Sequence, residues 1–222
     1  MKAYPPEDNG TIFDIDGGNG FVSLGLANAG FDVALLEPGI VGACNAKKRG
    51  LKNVIFATTD AAKLKQHSLP AVGLFDVIEH IEDDLAFLQS IRNLMKKGGR
   101  LYATVPSYSF LWSEEDVLAG HFRRYALEDI SQVLESAGFQ LEFSSYIFRF
   151  LPVPIFLFRT LPYKIGLSKA NRNAKSASRA HAAKGGTMVK ILGLILHREI
   201  EHLDNKRAMR FGGSCLVVAK RF

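Results

Sequence analysis

The sequence has few cysteines and no long hydrophobic run. Only Cys44 and Cys215 occur among 222 residues, too few and too far apart for a disulfide framework, which favours a reducing compartment. No uninterrupted apolar run is long enough to cross a bilayer, and the first eight residues lack an apolar signal region. We therefore expect a cytoplasmic protein.

The sequence also lacks the patterns of a metal site and of a nucleic-acid-binding module. No group of His, Cys, Asp and Glu residues has the sequence spacing of a metal site, so we expect no bound metal. The net charge is +6, but the cations form no recognisable nucleic-acid-binding module, so nucleic acid is not the expected partner.

What the sequence does have is a regular alternation of strand and helix patterns. The predicted strands are 11–14, 32–36, 54–57, 71–75, 100–105, 140–147 and 214–219. This order predicts an α/β fold with a doubly wound sheet and ligand sites at the carboxyl ends of its strands. We expect one domain, 1–222, with a helical insertion at about 148–212 before the last strand.

A glycine-rich turn, 17–20, joins the first predicted strand to a helix. Such turns let a ligand lie against bare backbone. Here Asp14 and Asp16 stand where a pyrophosphate would have to bind, and like charges would repel it. A ligand with a positive end suits the turn better, and S-adenosylmethionine has an ammonium and a sulfonium beside its adenosine.

On these residues the chain resembles the class I S-adenosylmethionine-dependent methyltransferases, of the small-molecule type related to the ubiquinone-pathway enzymes. The family motif is an acid, an apolar residue and then Gly-x-Gly-x-Gly, which Asp14, Gly18 and Gly20 match. Asp16 replaces the first glycine, and Asp tolerates left-handed backbone better than most residues. The resemblance implies a mostly parallel, Rossmann-like, seven-stranded sheet whose last strand is antiparallel.

The remaining cofactor contacts follow the next three strands. A carboxylate at Glu37 can accept both ribose hydroxyls, although a solvent-facing acid at a strand end is the alternative. The resemblance implies that Asp60 contacts the adenine amine and that the amide of Ala61 contacts a nitrogen of the adenine ring. Alternatively, Asp60 caps a helix over 61–66. It also implies that Phe75 and Asp76 form the floor beside the methionine end.

The acceptor side is predicted from two stretches. The segment 73–81 resembles the family's fourth-strand motif, in which His80 is either a base or a structural histidine. The segment 106–125 follows the fifth strand and overhangs the crevice, which makes His121 a second candidate base. Four of its residues are predicted to border the acceptor: Tyr108, Trp112, Arg124 and Tyr125. The alternative is that the three aromatic side chains only pack and the arginine lies at the surface.

The long connection before the last strand joins a phenylalanine-rich stretch, 146–167, to a basic stretch, 168–186, expected to be a mobile loop, and a helix at 188–203. It has three interpretations: a helical cap over the acceptor pocket, a segment lying on an anionic membrane, or a dimerisation surface. The oligomeric state stays open.

These features predict methyl transfer from S-adenosylmethionine to a small-molecule or lipid-like acceptor. One alternative is an NAD(P)-dependent oxidoreductase, which the two carboxylates and Ser23, at the position of a third glycine, argue against. The other is a cofactor-binding, membrane-associated protein without catalytic activity.

Overall fold

Seven strands form one mixed sheet in the computed structural model, which describes residues 2–167 and 187–222. The strand order is β3-β2-β1-β4-β5-β7-β6. All neighbouring strands are parallel except β7, which is antiparallel to both β5 and β6. The strands are β1 Ile12–Ile15, β2 Val33–Leu36, β3 Asn53–Ile55, β4 Leu69–Phe75, β5 Met95–Pro106, β6 Phe139–Ile147 and β7 Ser214–Arg221. The predicted doubly wound fold with an antiparallel last strand is confirmed.

Helices connect the strands in the order that the sequence predicts. They are α1 Phe21–Asn28, α2 Ile40–Lys48, α3 Asp84–Leu94, α4 Glu114–Ala119 and α5 Leu127–Ser136. Asp83 caps α3, because its Oδ1 accepts a hydrogen bond from the Ala86 amide at 3.0 Å. The short helix α4 was not predicted, since its six residues carry no apolar periodicity.

The core lies on both faces of the central strands. All four residues of β2 are buried, as expected of a parallel strand covered on each side. The largest cluster joins Leu74 of β4 and Leu101 of β5 to Ile91 of α3 and Ile130 of α5, all fully buried. This packing holds the strand ends in fixed positions for the site above them.

The predicted start of the fifth strand, at residue 100, is wrong. Lys96 to Gly99 belong to β5, which begins at Met95 directly after α3 ends at Leu94. A register shift between Leu69 and Ala71 of β4 accommodates the early start. Gly98 still provides the bend, at a φ of 81°.

The connection between β6 and β7 is helical where it is described. It contains α6 Pro152–Ile155, a π-helical turn Phe156–Thr160, α7 Leu161–Lys164 and α8 Thr187–Asp204. Buried Glu199 of α8 accepts hydrogen bonds from the amides of Phe148 and Arg149 at 2.9 and 2.8 Å. The predicted basic loop, 168–186, lies outside the described residues. None of the described helices is both long and apolar enough to cross a membrane.

Candidate active site

The candidate site lies at the carboxyl edge of the central strands. β1 lies between β2 and β4, so the chain leaves it in one direction and returns on its other side. Ligand crevices of doubly wound sheets form at such a switch point. The predicted cofactor residues at the ends of β1, β2 and β4 therefore share one edge of the sheet.

Asp14 is fully buried at the end of β1. Its Oδ2 accepts a hydrogen bond from the Ser23 hydroxyl at 2.5 Å, while Oδ1 has no partner among the described residues. Burial raises the pKa of Asp14 to about 6, and the charges of Glu37 and Asp16 add to the effect. An ammonium group would supply the missing partner, so this carboxylate fits the cationic end of S-adenosylmethionine.

The turn after Asp14 has the backbone conformation that its sequence requires. Asp16 has a φ of 55°, and Gly18 and Gly20 have φ values of 57° and 72°. The prediction that Asp16 adopts the left-handed conformation is confirmed. A Cβ on Gly17 would lie 2.4 Å from Asp14 Oδ2, so a side chain there would displace the carboxylate.

Glu37 joins β2 to this turn. Its Oε2 accepts a hydrogen bond from the Gly18 amide at 2.8 Å, and its Oε1 accepts one from the Gly39 amide at 2.7 Å. The residue is 8% exposed, so the alternative of a solvent-facing acid is wrong. Each carboxylate oxygen keeps a further lone pair, and the contact of Glu37 with the ribose hydroxyls stays a prediction.

The segment after β3 differs in detail from its prediction. Residues 61–66 form turns instead of a helix, and Thr58 caps them: its hydroxyl accepts a hydrogen bond from the Ala61 amide at 3.1 Å. The alternative of Asp60 as a helix cap is therefore wrong, and Asp60 is exposed. Its contact with the adenine amine stays a prediction. The Ala61 amide would have to share its hydrogen bond to meet an adenine nitrogen.

β4 ends in a bent backbone that turns Asp76 towards β5. Asp76 has a φ of 56°, its amide donates to the Thr104 carbonyl at 2.9 Å, and its Oδ1 accepts from the Thr104 hydroxyl at 3.1 Å. The ring of Phe75 lies against Gly73, where a Cβ would come within 2.4 Å of it. Both predicted floor residues therefore have fixed positions.

His80 and His121 meet on the acceptor side. Their ring centroids are 4.7 Å apart, with the planes nearly perpendicular. The Phe122 amide donates to the Glu79 carbonyl at 2.8 Å, which ties the turn after β4 to the segment after α4. Nδ1 of His121 lies 2.9 Å from Asp116 Oδ1. Both candidate bases thus border one place, and their catalytic roles stay predictions.

Glu79 is a site residue that the sequence motif did not single out. It is 1% exposed, and neither carboxylate oxygen has a hydrogen-bond partner among the described residues. Burial raises its pKa to about 8, and the negative charges of Asp76 and Asp116 reinforce this, while Arg124 opposes it. Its position beside His80 in the fourth-strand motif was the available signal.

The structure corrects two of the predicted acceptor residues. Arg124 has a side chain 7% exposed, and its Nε lies 2.7 Å from Asp116 Oδ1. Tyr125 is 3% exposed, and its hydroxyl donates to Asp84 Oδ2 at 2.7 Å. Both side chains make internal contacts, so the acceptor assignment is wrong for both. The packing alternative holds for Tyr125, whereas the side chain of Arg124 is buried and is not the surface arginine of its alternative.

Tyr108 and Trp112 are partly exposed in the same segment. Tyr108 stacks on Tyr146 and Phe110, with ring centroids 4.9 and 5.2 Å apart. An aromatic cluster of this kind is both a packing unit and a flat surface for an acceptor. The assignment of Tyr108 and Trp112 to the acceptor pocket stays a prediction.

The expectation that no metal-type cluster exists does not hold in three dimensions. One ligand-capable atom from each of Glu79, His80 and His121 lies within 4.8 Å of the other two. Sequence spacing could not reveal this group, because His121 joins it through the fold.

Comparisons with known proteins agree with this geometry. A family model described as a methyltransferase domain matches residues 2–142. No curated protein matches the sequence.

Three solved structures share the fold. A methyltransferase from Thermotoga maritima, described as a possible histamine N-methyltransferase, is 16% identical, with a TM-score of 0.61 over 96% of this chain and 82% of that one. An S-adenosylmethionine-dependent methyltransferase from Mesorhizobium loti is 15% identical, with a TM-score of 0.58 over 99% and 94%. Geranyl diphosphate C-methyltransferase from Streptomyces coelicolor is 14% identical, with a TM-score of 0.58 over 98% and 74%.

The family match covers well over half of the chain, including the acid–glycine turn and the β4 motif. It removes the NAD(P)-dependent oxidoreductase as an alternative. The chain therefore belongs to the methyltransferase domain family, as a class I methyltransferase with S-adenosylmethionine as its cofactor.

Proposed function

We propose that this protein transfers the methyl group of S-adenosylmethionine to a small-molecule or lipid-like acceptor held beside His80 and His121. The observation that carries the proposal is the buried Asp14, whose Oδ1 has no partner in the described part of the chain and lies on the same sheet edge as Glu37. These two carboxylates bind the two ends of the donor, the ammonium and the ribose. Asp76, which directly follows β4, then lies beside the acceptor.

The chemistry asks little of the protein beyond placement. An acceptor atom attacks the methyl carbon in line with the methyl–sulfur bond, which breaks to leave S-adenosylhomocysteine. If the acceptor is a hydroxyl or a protonated amine, its proton must leave as well. His121 is the better-placed base, because Asp116 holds its Nδ1 and leaves Nε2 to face a ligand.

The helical connection covers the acceptor side. Thr160 donates a hydrogen bond to the Leu111 carbonyl at 2.8 Å, and the rings of Phe156 and Phe110 lie 6.4 Å apart. Because Leu111 and Phe110 belong to the segment that follows β5, the helices pack on the rim of the crevice. This contact supports the interpretation of the connection as a cap.

The outer side of the cap is unusually apolar, which favours a lipid-like acceptor taken from a membrane surface. We call it the apolar helical surface; its exposed members are Val153, Phe156, Leu157, Phe158, Leu161, Ile165 and Leu167. Exposed Arg149, Arg159 and Lys164 lie in the same stretch. Apolar area flanked by cations gains from both burial in lipid and attraction to anionic headgroups.

The direct test is a methyl-transfer assay with labelled S-adenosylmethionine and extracts of metabolites and membrane lipids, read by mass spectrometry. We expect a labelled product with the native protein and none above background with Asp14→Asn. A protein that binds the cofactor but labels nothing in either extract would favour the alternative without catalysis.

Vesicle flotation tests the membrane part separately. We expect salt-sensitive binding to anionic vesicles, because attraction is worth about 1 kcal/mol per well-placed cation and is screened by salt. Replacing both Leu157 and Phe158 by Ser should weaken it at least about 10-fold. Phe222→Ser, which removes a phenylalanine that is 64% exposed at the end of β7, is the matched control. Equal binding of all variants, or none at low salt, would contradict a membrane role.

A further inference from the structure

Glu79, His80 and His121 form a group of possible metal ligands. The methyl-transfer mechanism proposed above uses only the two histidines of this group, as candidate bases. Their ligand-capable atoms all lie within 4.8 Å of one another. Glu79 is 1% exposed, and both of its carboxylate oxygens lack partners among the described residues. An ionised carboxylate without hydrogen bonds is costly to bury, and a bound cation would compensate its charge at this place.

The contacts of Asp116 orient one of the two imidazoles, that of His121, for such an occupant. Asp116 Oδ1 lies 2.9 Å from Nδ1 of His121 and also 2.7 Å from Nε of Arg124. Its other oxygen accepts from the Ser113 amide at 2.8 Å. Fixed in this way, Asp116 leaves Nε2 as the nitrogen of His121 that can coordinate, the arrangement in which a carboxylate orients a metal-binding histidine.

The hydrogen bond from the Phe122 amide to the Glu79 carbonyl keeps the two segments in register. Because His121 precedes Phe122 and His80 follows Glu79, one backbone contact sets the spacing of all three side chains.

The donor set selects the kind of cation. Two imidazoles and one carboxylate are typical ligands of catalytic Zn²⁺ sites, which leave a position open. Mg²⁺ prefers oxygen ligands and retains water. We propose that Glu79, His80 and His121 bind one divalent transition-metal cation of the Zn²⁺ class at the acceptor end of the crevice.

Such a cation would occupy Nε2 of His121, so His121 would not act as the base while the metal is bound. Instead the cation would give an acceptor hydroxyl a Lewis acid that eases the loss of its proton. This consequence rests on the proposed function. The metal site itself does not, because it can be measured without the methyl donor or any acceptor.

The experiment is a calorimetric titration of the metal-stripped full chain with Zn²⁺ and, separately, with Mg²⁺. We expect one equivalent of Zn²⁺ with sub-micromolar affinity and at least about 100-fold weaker binding of Mg²⁺. Glu79→Gln and His80→Ala should each weaken Zn²⁺ binding by at least about 10- to 100-fold, because loss of a partner that only orients a ligand already costs that much. Thermal unfolding and affinity for S-adenosylmethionine show whether each variant is folded.

His197→Gln is the matched control. His197 and Glu201 form an exposed pair on α8, with Nε2 and Oε1 3.3 Å apart, and no third ligand is found with them among the described residues. This variant should bind Zn²⁺ as the native protein does. No Zn²⁺ binding, binding that survives Glu79→Gln and His80→Ala, or equal affinity for Mg²⁺ would overturn the proposal.

Discussion

The cofactor side and the acceptor side of the crevice are built in different ways. On the cofactor side, the turn from Asp14 to Gly20 and the strand-end Glu37 act within short segments, and their backbone conformations follow from local sequence. On the acceptor side, Glu79 comes from the turn after β4, whereas Asp116 and His121 come from the segment after β5, and a backbone hydrogen bond joins the two. The predicted cofactor side is therefore built from local motifs, and the predicted acceptor side from tertiary packing.

The largest expected effect tests how firmly the acceptor side depends on that network. Asp116→Ala should lower the free energy of unfolding by about 3–5 kcal/mol, because it leaves Arg124 buried without its partner and removes the cap on α4. Chemical denaturation measures the change.

The neighbouring Glu115 provides the control for that variant. Its pair with Arg159 is half exposed on both sides, with Nε and Oε1 3.5 Å apart. Glu115→Ala should therefore change the stability by less than about 1 kcal/mol. Similar losses of stability in both variants would mean that the buried pair of Asp116 and Arg124 stabilises the fold no more than the exposed pair does.

On the cofactor side, Glu37→Ala should weaken the binding of S-adenosylmethionine by about 1–3 kcal/mol, the scale of lost charge-assisted hydrogen bonds. The exposed Asp32 at the opposite end of β2 is a suitable control, because Asp32→Ala removes a carboxylate far from the turn. Unchanged affinity in Glu37→Ala would remove Glu37 from the ribose site.

The difference between the two sides also explains which features could be predicted from the sequence and which could not. The doubly wound sheet and the left-handed Asp16 follow from the order of the predicted elements and from the glycine turn, and the structure confirms them. The Asp83 cap also depends only on its neighbouring residues. Arg124 and Tyr125 were wrongly placed at the acceptor, because their partners Asp116 and Asp84 cannot be recognised before the fold is known. Glu79 was passed over for the same reason.

Asp14 should make the cofactor-free protein less stable as the pH rises. Its pKa is raised from 3.8 in the unfolded chain to about 6 in the fold, so ionising it costs folding energy. The penalty is absent below pH 3.8, grows as the pH rises to about 6 and is complete above it. Asp14→Asn, which removes this charge, should be about 1–2 kcal/mol more stable than the native protein at pH 7 and similar to it at pH 4.

Denaturation at several pH values, without cofactor, measures that difference. Ser23→Ala is the comparison variant. It removes the hydrogen bond to Asp14 and should destabilise the fold. If the native protein is at least as stable as Asp14→Asn at pH 7, the claim that the buried Asp14 carboxylate destabilises the cofactor-free fold is contradicted.

The smallest effect concerns the corrected assignment of Tyr125. Tyr125→Phe removes only the hydroxyl that donates to Asp84, so we expect a loss of about 1 kcal/mol in stability. The KM for an acceptor, once one is known, should stay the same. A large rise in KM with unchanged stability would return Tyr125 to the acceptor pocket.

The most direct test of the division between the two sides is the affinity for S-adenosylmethionine of the native protein, Asp14→Asn and His121→Ala, measured by calorimetry at pH 7. We predict at least about 30-fold weaker binding for Asp14→Asn, because the ammonium loses a buried carboxylate. His121→Ala should bind the cofactor within about 3-fold of the native protein. Native affinity in Asp14→Asn, or loss of cofactor binding in His121→Ala, would contradict the account.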